Sequence, residues 1–181
     1  MGKIYDHIPA NLQKWIPQQK LFFVASAPLS GDGLINLSPK GLDSFRILDE
    51  HTVAYLDLTG SGVETIAHVQ ENQRLTMMFC AFEGAPNIVR LYGKAEVHQK
   101  GTEGYAALSH HFPEYVNARS IIVNRLSKVT TACGYAVPYM DYRGDRDVLD
   151  KWAEKKGPAG IDAYQKEKNT SSLDGMTGLK F

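Results

Sequence analysis

Two short stretches carry the residue types that could hold an anion. Thr59-Gly60-Ser61-Gly62 offers two hydroxyls, two glycines that permit close backbone approach, and the N–H groups of a helix start. Asn36-Leu37-Ser38-Pro39-Lys40-Gly41 offers a third hydroxyl at Ser38 and, at Lys40, a cation for the same anion. Lys40 lies between Pro39 and Gly41 near a strand end, so its side chain can reach an anion without crossing a core. Each piece also has a plainer reading. Thr-Gly-Ser-Gly makes ordinary turns and helix caps, and a lysine after proline is often an exposed turn residue. Arg90, alone in an apolar alternating run, needs either a partner or an outward face.

No other constellation points to catalysis, and no catalytic residue is assigned. The six histidines lack metal-ligand spacing with carboxylates on one predicted face. Gly60-Ser61-Gly62 is not the Gly-x-Ser-x-Gly turn of acyl transfer. No Gly-Lys-Ser/Thr follows a glycine-rich loop, which excludes a P-loop.

The elements that must position these stretches follow from periodicity. Thr52 to Leu58 predicts a strand, and the segment from Val63 to Val69 predicts a helix with Glu64 in its first turn, where a carboxylate suits the dipole. Leu21 to Ala27 reads as a buried strand, Pro28 to Gly33 as a hairpin turn, and Leu34 to Ser38 as a half-buried second strand. Arg46 to Glu50 reads as a polar connection. Arg74 to Phe82, Ile88 to His98 and Ala118 to Thr131 are further strands; Gly93 marks a bulge or close backbone approach, and Asn124-Arg125 a polar interruption. Ile4 to Trp15, Thr102 to His111 and Asp145 to Lys168 read as helical, the last divided at Gly157-Pro158. Asn169 to Phe181 reads as an extended arm. The predicted fold is mostly β: about six antiparallel strands in a small barrel with peripheral helices. Residues 1–140 form the barrel with its N-terminal helical segment, and 141–181 a helical extension and arm of the same domain.

Composition sets the remaining bounds. The 181 residues suit one domain, and 43% hydrophobic with 22% charged residues is a soluble globular balance. A formal net charge of zero argues against nucleic acid or an anionic membrane as bulk partner. The N-terminus lacks a basic-then-apolar leader pattern, and no apolar run approaches membrane-spanning length. Cys80 and Cys133 read as buried reduced thiols, and a cytoplasmic, reducing setting is expected.

Beyond residue chemistry, Leu21-Phe22-Phe23-Val24-Ala25-Ser26-Ala27-Pro28 followed by Gly33-Leu34-Ile35-Asn36-Leu37-Ser38-Pro39-Lys40-Gly41 resembles the opening strands of the pyridoxamine 5′-phosphate oxidase-like family of flavin-binding split barrels. Tyr55 to Thr65 is similar to that family's third strand and phosphate loop, and 72–79 and 88–95 to its next two strands. Residues 133–138, 152–157 and 172–175 resemble a subgroup of it. The likeness covers roughly residues 18–140 and reaches into the tail. It implies a six-stranded antiparallel split barrel, a homodimer, and an FMN site at each side of the subunit interface. Lys40 matches the family's phosphate lysine and Ser61 its loop serine, while Asp57 falls where a polar strand residue faces the flavin. Ser38, Thr59 and Gly62 join this set from the anion-cradle reading.

The implied activity is that of an FMN-dependent oxidoreductase acting on a small organic substrate. Alternatives are a flavin-storing protein without turnover, or a split barrel using deazaflavin or haem. Three departures argue against oxidation of pyridoxamine phosphate itself. Gly62-Val63 stands where the oxidase has an Arg-Lys pair, Ile88 replaces a glutamine near the ring, and the C-terminal tryptophan and Arg-x-His signature is missing. Phosphate binding must then lean on Lys40, the hydroxyls and backbone N–H groups.

Overall fold

Apolar residues at every second position give strands that bury one face. The computed structural model, which describes residues 2–181, contains eight strands and four α-helices among them. In chain order these are β1 (Ile4–Tyr5), α1 (Ala10–Trp15), β2 (Phe22–Ser26), β3 (Asn36–Lys40), β4 (Phe45–Asp49), β5 (Thr52–Leu58), α2 (Glu64–Asn72), β6 (Arg74–Cys80), β7 (Ile88–Gln99), α3 (Glu103–Ser109), β8 (Ala118–Ala132) and α4 (Val148–Lys168). The sheet runs β3-β2-β6-β7-β8-β5-β4, antiparallel throughout, with β1 paired to β8.

Phe22 and Val24 of β2, Val53 and Tyr55 of β5, Met77 and Phe79 of β6, and Val89 and Leu91 of β7 fill one core, which Ile8, Leu12 and Ile16 close. Phe45 of β4 meets Phe22 of β2 at 5.4 Å and Phe79 of β6 at 4.9 Å between ring centroids. β4 and β2 stand near opposite ends of the strand order, so these contacts require the sheet to curl on itself. The result is a barrel whose hydrogen-bond ladder stays open between β3 and β4. β5 and β8 are buried on their other face too, where Leu56, Ile121 and Val123 pack with Phe112.

The mostly β fold is as the sequence predicts, with eight strands instead of six. β1 is a two-residue pairing, and β4 occupies the segment read as a polar connection; Phe45 and Ile47 turn into the barrel while Arg46 and Asp49 mask the alternation. β8 runs unbroken through Asn124-Arg125 for 15 residues. Gly93 is the close approach expected: a Cβ there would overlap the carbonyl of Arg125. α4 bends at Gly157, at φ 65°. Cys80 is buried as expected, but Cys133 is exposed, because it lies just past the end of β8. No helix of the described residues is long and apolar enough to cross a membrane.

β3 starts and ends two residues later than the alternation predicts, which brings Lys40 into the ladder opposite Phe22. Its polar row turns inward: Asn36, Ser38 and Lys40 face the fold, while Leu37 is 63% exposed.

Candidate functional site

The inward row of β3 supplies the first half of the site. Ser38 Oγ donates to Asn36 Oδ1 at 2.9 Å, and Asn36 Nδ2 donates to Thr65 Oγ1 on α2 at 2.9 Å. Lys40 Nζ donates to Asp57 Oδ1 at 3.0 Å. Asp57 is 1% exposed, and its second oxygen accepts from Arg119 Nε at 2.7 Å. Arg119 gets there through a strand irregularity. Asp57 pairs with Ser120 and Leu58 with Ala118, so Arg119 is the extra residue of a bulge in β8, a device that re-aims a side chain. Arg119 Nη1 also donates to the carbonyl of Gly62 at 2.8 Å and so ties the strands to the loop.

The charge balance of this cluster is uneven. Two cations share one carboxylate, in a place where Arg119 is only 5% exposed. Burial pushes the Asp57 carboxyl up, but Arg119 and Lys40 together outweigh it and hold the group at about 2. Asp57 is therefore ionised at ordinary pH, and a net positive charge is left over. A buried excess charge is costly unless a counter-ion meets it.

The loop from Thr59 to Gly62 supplies the second half. Its carbonyl side is tied back. Thr59 N–H and Oγ1 both donate to the carbonyl of Asn117, at 2.8 and 2.7 Å. Gln165 Nε2 of α4 donates to Thr59 Oγ1 at 2.7 Å, and Asn169 Nδ2 donates to the carbonyl of Gly60 at 3.0 Å. Among the described residues, the N–H groups of Gly60, Ser61, Gly62 and Val63 find no protein acceptor. Val63, the N-cap of α2, makes no side-chain cap either. Consecutive free N–H groups running into a helix start are an anion-binding arrangement.

Of the residues selected from sequence, Lys40, Asp57 and Gly62 are thus linked through one chain of contacts, and Ser38 lies on the inward row beside Lys40. Ser61 is exposed at the loop tip. The hydroxyl of Thr59 is engaged on both sides, by Asn117 and Gln165. A cavity of about 430 Å³ opens next to Lys40, Thr59 and Gly60, with Arg146 and Leu149 also in its lining.

Sequence reasoning missed Arg119, although a lone guanidinium inside the apolar run of Ala118 to Val123 was a usable signal. Arg90, which the sequence pattern leaves open between a partner and an outward face, is half-buried and forms no ion pair among the described residues. Ser26 and His68, 3.0 Å apart, are both buried, and among the described residues no carboxylate hydrogen-bonds to His68, so they form a structural network and not a nucleophile pair.

Comparison with known proteins extends this picture. A family model described as pyridoxamine 5′-phosphate oxidase matches residues 8–133. A protein of Aspergillus flavus described as pyridoxamine 5′-phosphate oxidase family protein ustO is 40% identical over 196 residues, covering 99% of this chain and 78% of its own length. Among solved structures, HupZ of Group A Streptococcus superposes with a TM-score of 0.51 at 22% identity, covering 67% of this chain and 91% of its own. A FAD-binding protein of Mesorhizobium loti gives 0.50 at 13% identity, covering 72% and 96%. These likenesses establish the same fold, and the fungal one continues through α4 and the C-terminal arm beyond the family match. By the length of the family match and by this identity, the chain belongs to the pyridoxamine 5′-phosphate oxidase family.

Proposed function

We propose that the chain binds FMN, with the cofactor phosphate held by Lys40, Arg119, Ser61 and the free N–H groups of Gly60 to Val63. The observation that carries this is the surplus positive charge of the Lys40–Asp57–Arg119 cluster beside those unpaired donors. A dianionic phosphate answers both needs. Arg119 also does part of the work for which the oxidase uses its Arg-Lys pair, although it comes from β8, a neighbouring strand far away in sequence. The fold neighbour described as FAD-binding supports a flavin as the ligand class.

A bound flavin would supply the redox chemistry, and the protein its binding, orientation and exclusion of water. We place the chain accordingly as a flavin-dependent oxidoreductase acting on a small organic substrate. The missing Arg-Lys pair and Arg-x-His signature still argue against pyridoxamine phosphate as that substrate. Because no acid–base pair stands at the site, a flavin carrier without turnover is the second reading. The homodimer belongs to the same proposal: Leu34, Ile35 and Leu37 lie exposed along and beside the edge strand β3 and offer an apolar face to a second copy. Two free thiols suit a cytoplasmic setting.

The visible spectrum of the purified protein tests the cofactor. FMN, deazaflavin and haem each have a distinct spectrum, and a preparation that stays colourless after incubation with FMN refutes the proposal. Bleaching of bound flavin by NADH or NADPH, followed by reoxidation with an acceptor, selects the enzyme. Flavin that only dithionite reduces selects the carrier.

A further inference from the structure

We infer that α4 and the C-terminal arm set the shape of the anion loop, with Gln165 and Asn169 as its positioning residues; this rests on the phosphate reading above. Both residues lie outside the stretch of 8–133 that matches the family. Yet each holds the loop from behind, Gln165 through Thr59 Oγ1 at 2.7 Å and Asn169 through the carbonyl of Gly60 at 3.0 Å. A peptide whose carbonyl is fixed on one side must present its N–H on the other, because the unit is planar. Holding the Gly60 carbonyl back therefore orients the Ser61 N–H, which shares that peptide, away from Asn169 and toward the open side of the loop.

The arm is itself anchored well enough to act as a support. Asn169 is fully buried, and the N–H of Leu179 donates to its carbonyl at 2.8 Å. Leu179 sits in the barrel core, 3% exposed. Gly178 packs so closely on Val63, the first residue after the loop, that a Cβ would overlap both Val63 methyls. Gln70 of α2 donates to the carbonyl of Gly178 at 2.9 Å, and Gln99 of β7 exchanges two hydrogen bonds with Lys180, at 2.6 and 3.0 Å. The extension thus reaches from the loop, across the start of α2, to β7. Its contacts to the loop fall on Thr59 and Gly60, and none falls on the N–H groups assigned to the phosphate.

The test separates loop positioning from general stability by comparing two flavins that differ only in the phosphate. FMN and riboflavin are titrated into wild type, Gln165→Met and Asn169→Leu, with fluorescence quenching as readout and thermal midpoints as the fold control. Both replacements keep the side-chain length and remove the amide donor. The expected result is an FMN affinity weakened about tenfold in each variant, with riboflavin affinity unchanged, as befits about 1.4 kcal/mol lost from a phosphate contact. Wild-type preference for FMN that survives intact in the variants overturns the inference and leaves the phosphate reading standing. Equal losses for both flavins also overturn it. A wild type that binds riboflavin as tightly as FMN removes the phosphate reading and the inference together. Gln165, half-buried, decides the matter alone if Asn169→Leu does not fold.

Discussion

Arg119 Nε lies 2.7 Å from Asp57 Oδ2, although 62 residues separate the two and only a strand bulge turns them together. Asp57 is the single carboxylate between this guanidinium and the Lys40 ammonium. Asp57→Asn leaves two neighbouring cations without their counter-charge, one of them buried. Breaking a buried pair by removing one partner costs about 3–5 kcal/mol. Denaturant unfolding is expected to show a loss of that order, partly recovered by added FMN. A loss below about 0.5 kcal/mol would mean that the carboxylate is not what holds the cations.

Lys40 is the more accessible of the two cations, 21% exposed against 5% for Arg119. It should therefore contribute the more adjustable contact to a bound phosphate. A hydrogen bond to a charged group is worth about 1.5–3 kcal/mol, so Lys40→Ala should weaken FMN by roughly ten- to hundredfold. Riboflavin, which lacks the phosphate, should bind as before. Unchanged FMN affinity takes Lys40 out of the site.

The site shows where sequence reading reaches and where it stops. β5, the loop and α2 are legible because strand alternation, a glycine-rich turn and helical spacing occur contiguously from Thr52 to Val69. Lys40 is legible from its neighbours Pro39 and Gly41. Arg119 is not, because its meaning comes from register: only the extra residue opposite Asp57 and Leu58 points it inward. β3 misleads in the opposite sense, since its apolar residues face out and its polar row faces in. Burial behind Thr59 and Gly60 depends on residues more than 100 positions away, and no local pattern announces such a pairing.

Two buried groups make stability fall toward acid pH. Asp57 has an ordinary value of 3.8 and a folded value of about 2, so the unfolded chain takes up its proton first. That contribution is complete above pH 3.8 and is lost as pH falls toward 2. His68 acts earlier. Burial holds it below its ordinary 6.5, against the opposing pull of Asp174, Glu64, Glu71 and its bond to Ser26. Here too the unfolded state binds the proton first, so stability falls as pH drops below 6.5. Thermal midpoints measured from pH 7.5 to 5 should fall in wild type and fall less in His68→Asn. Parallel curves would assign the slope to other groups.

The exposed apolar row of β3 predicts self-association. Leu37 is 63% exposed on this edge strand and Ile35, the residue just before the strand, is 80% exposed, a combination that soluble proteins normally cover. Sedimentation at micromolar concentration should show a dimer, and Leu37→Lys should shift it toward monomer without lowering the thermal midpoint of the monomer itself. A monomeric wild type would rule out a flavin site shared between subunits.

Glu64 makes the sharpest test of where the phosphate sits. It opens α2, its Oε1 accepts from the N–H of Leu173 at 3.3 Å, and a Cβ on Gly62 would overlap its Oε2. The carboxylate therefore lies against the loop whose free N–H groups are assigned to the cofactor. It is an internal anion at the positive end of the helix, where a negative charge is stabilised by about 0.3–1 kcal/mol. A phosphate entering the same cradle meets that like charge. Two unit charges a few ångströms apart repel by about 1 kcal/mol even in water. Glu64→Gln keeps the size and the acceptor for Leu173 while removing the charge. FMN should then bind about fivefold tighter at low salt, riboflavin should not change, and the gain should shrink as salt screens the repulsion. The helix should lose a little stability at the same time. If FMN affinity is the same in both proteins at low salt, the phosphate does not lie beside Gly62, and the loop from Thr59 to Gly62 is an ordinary turn.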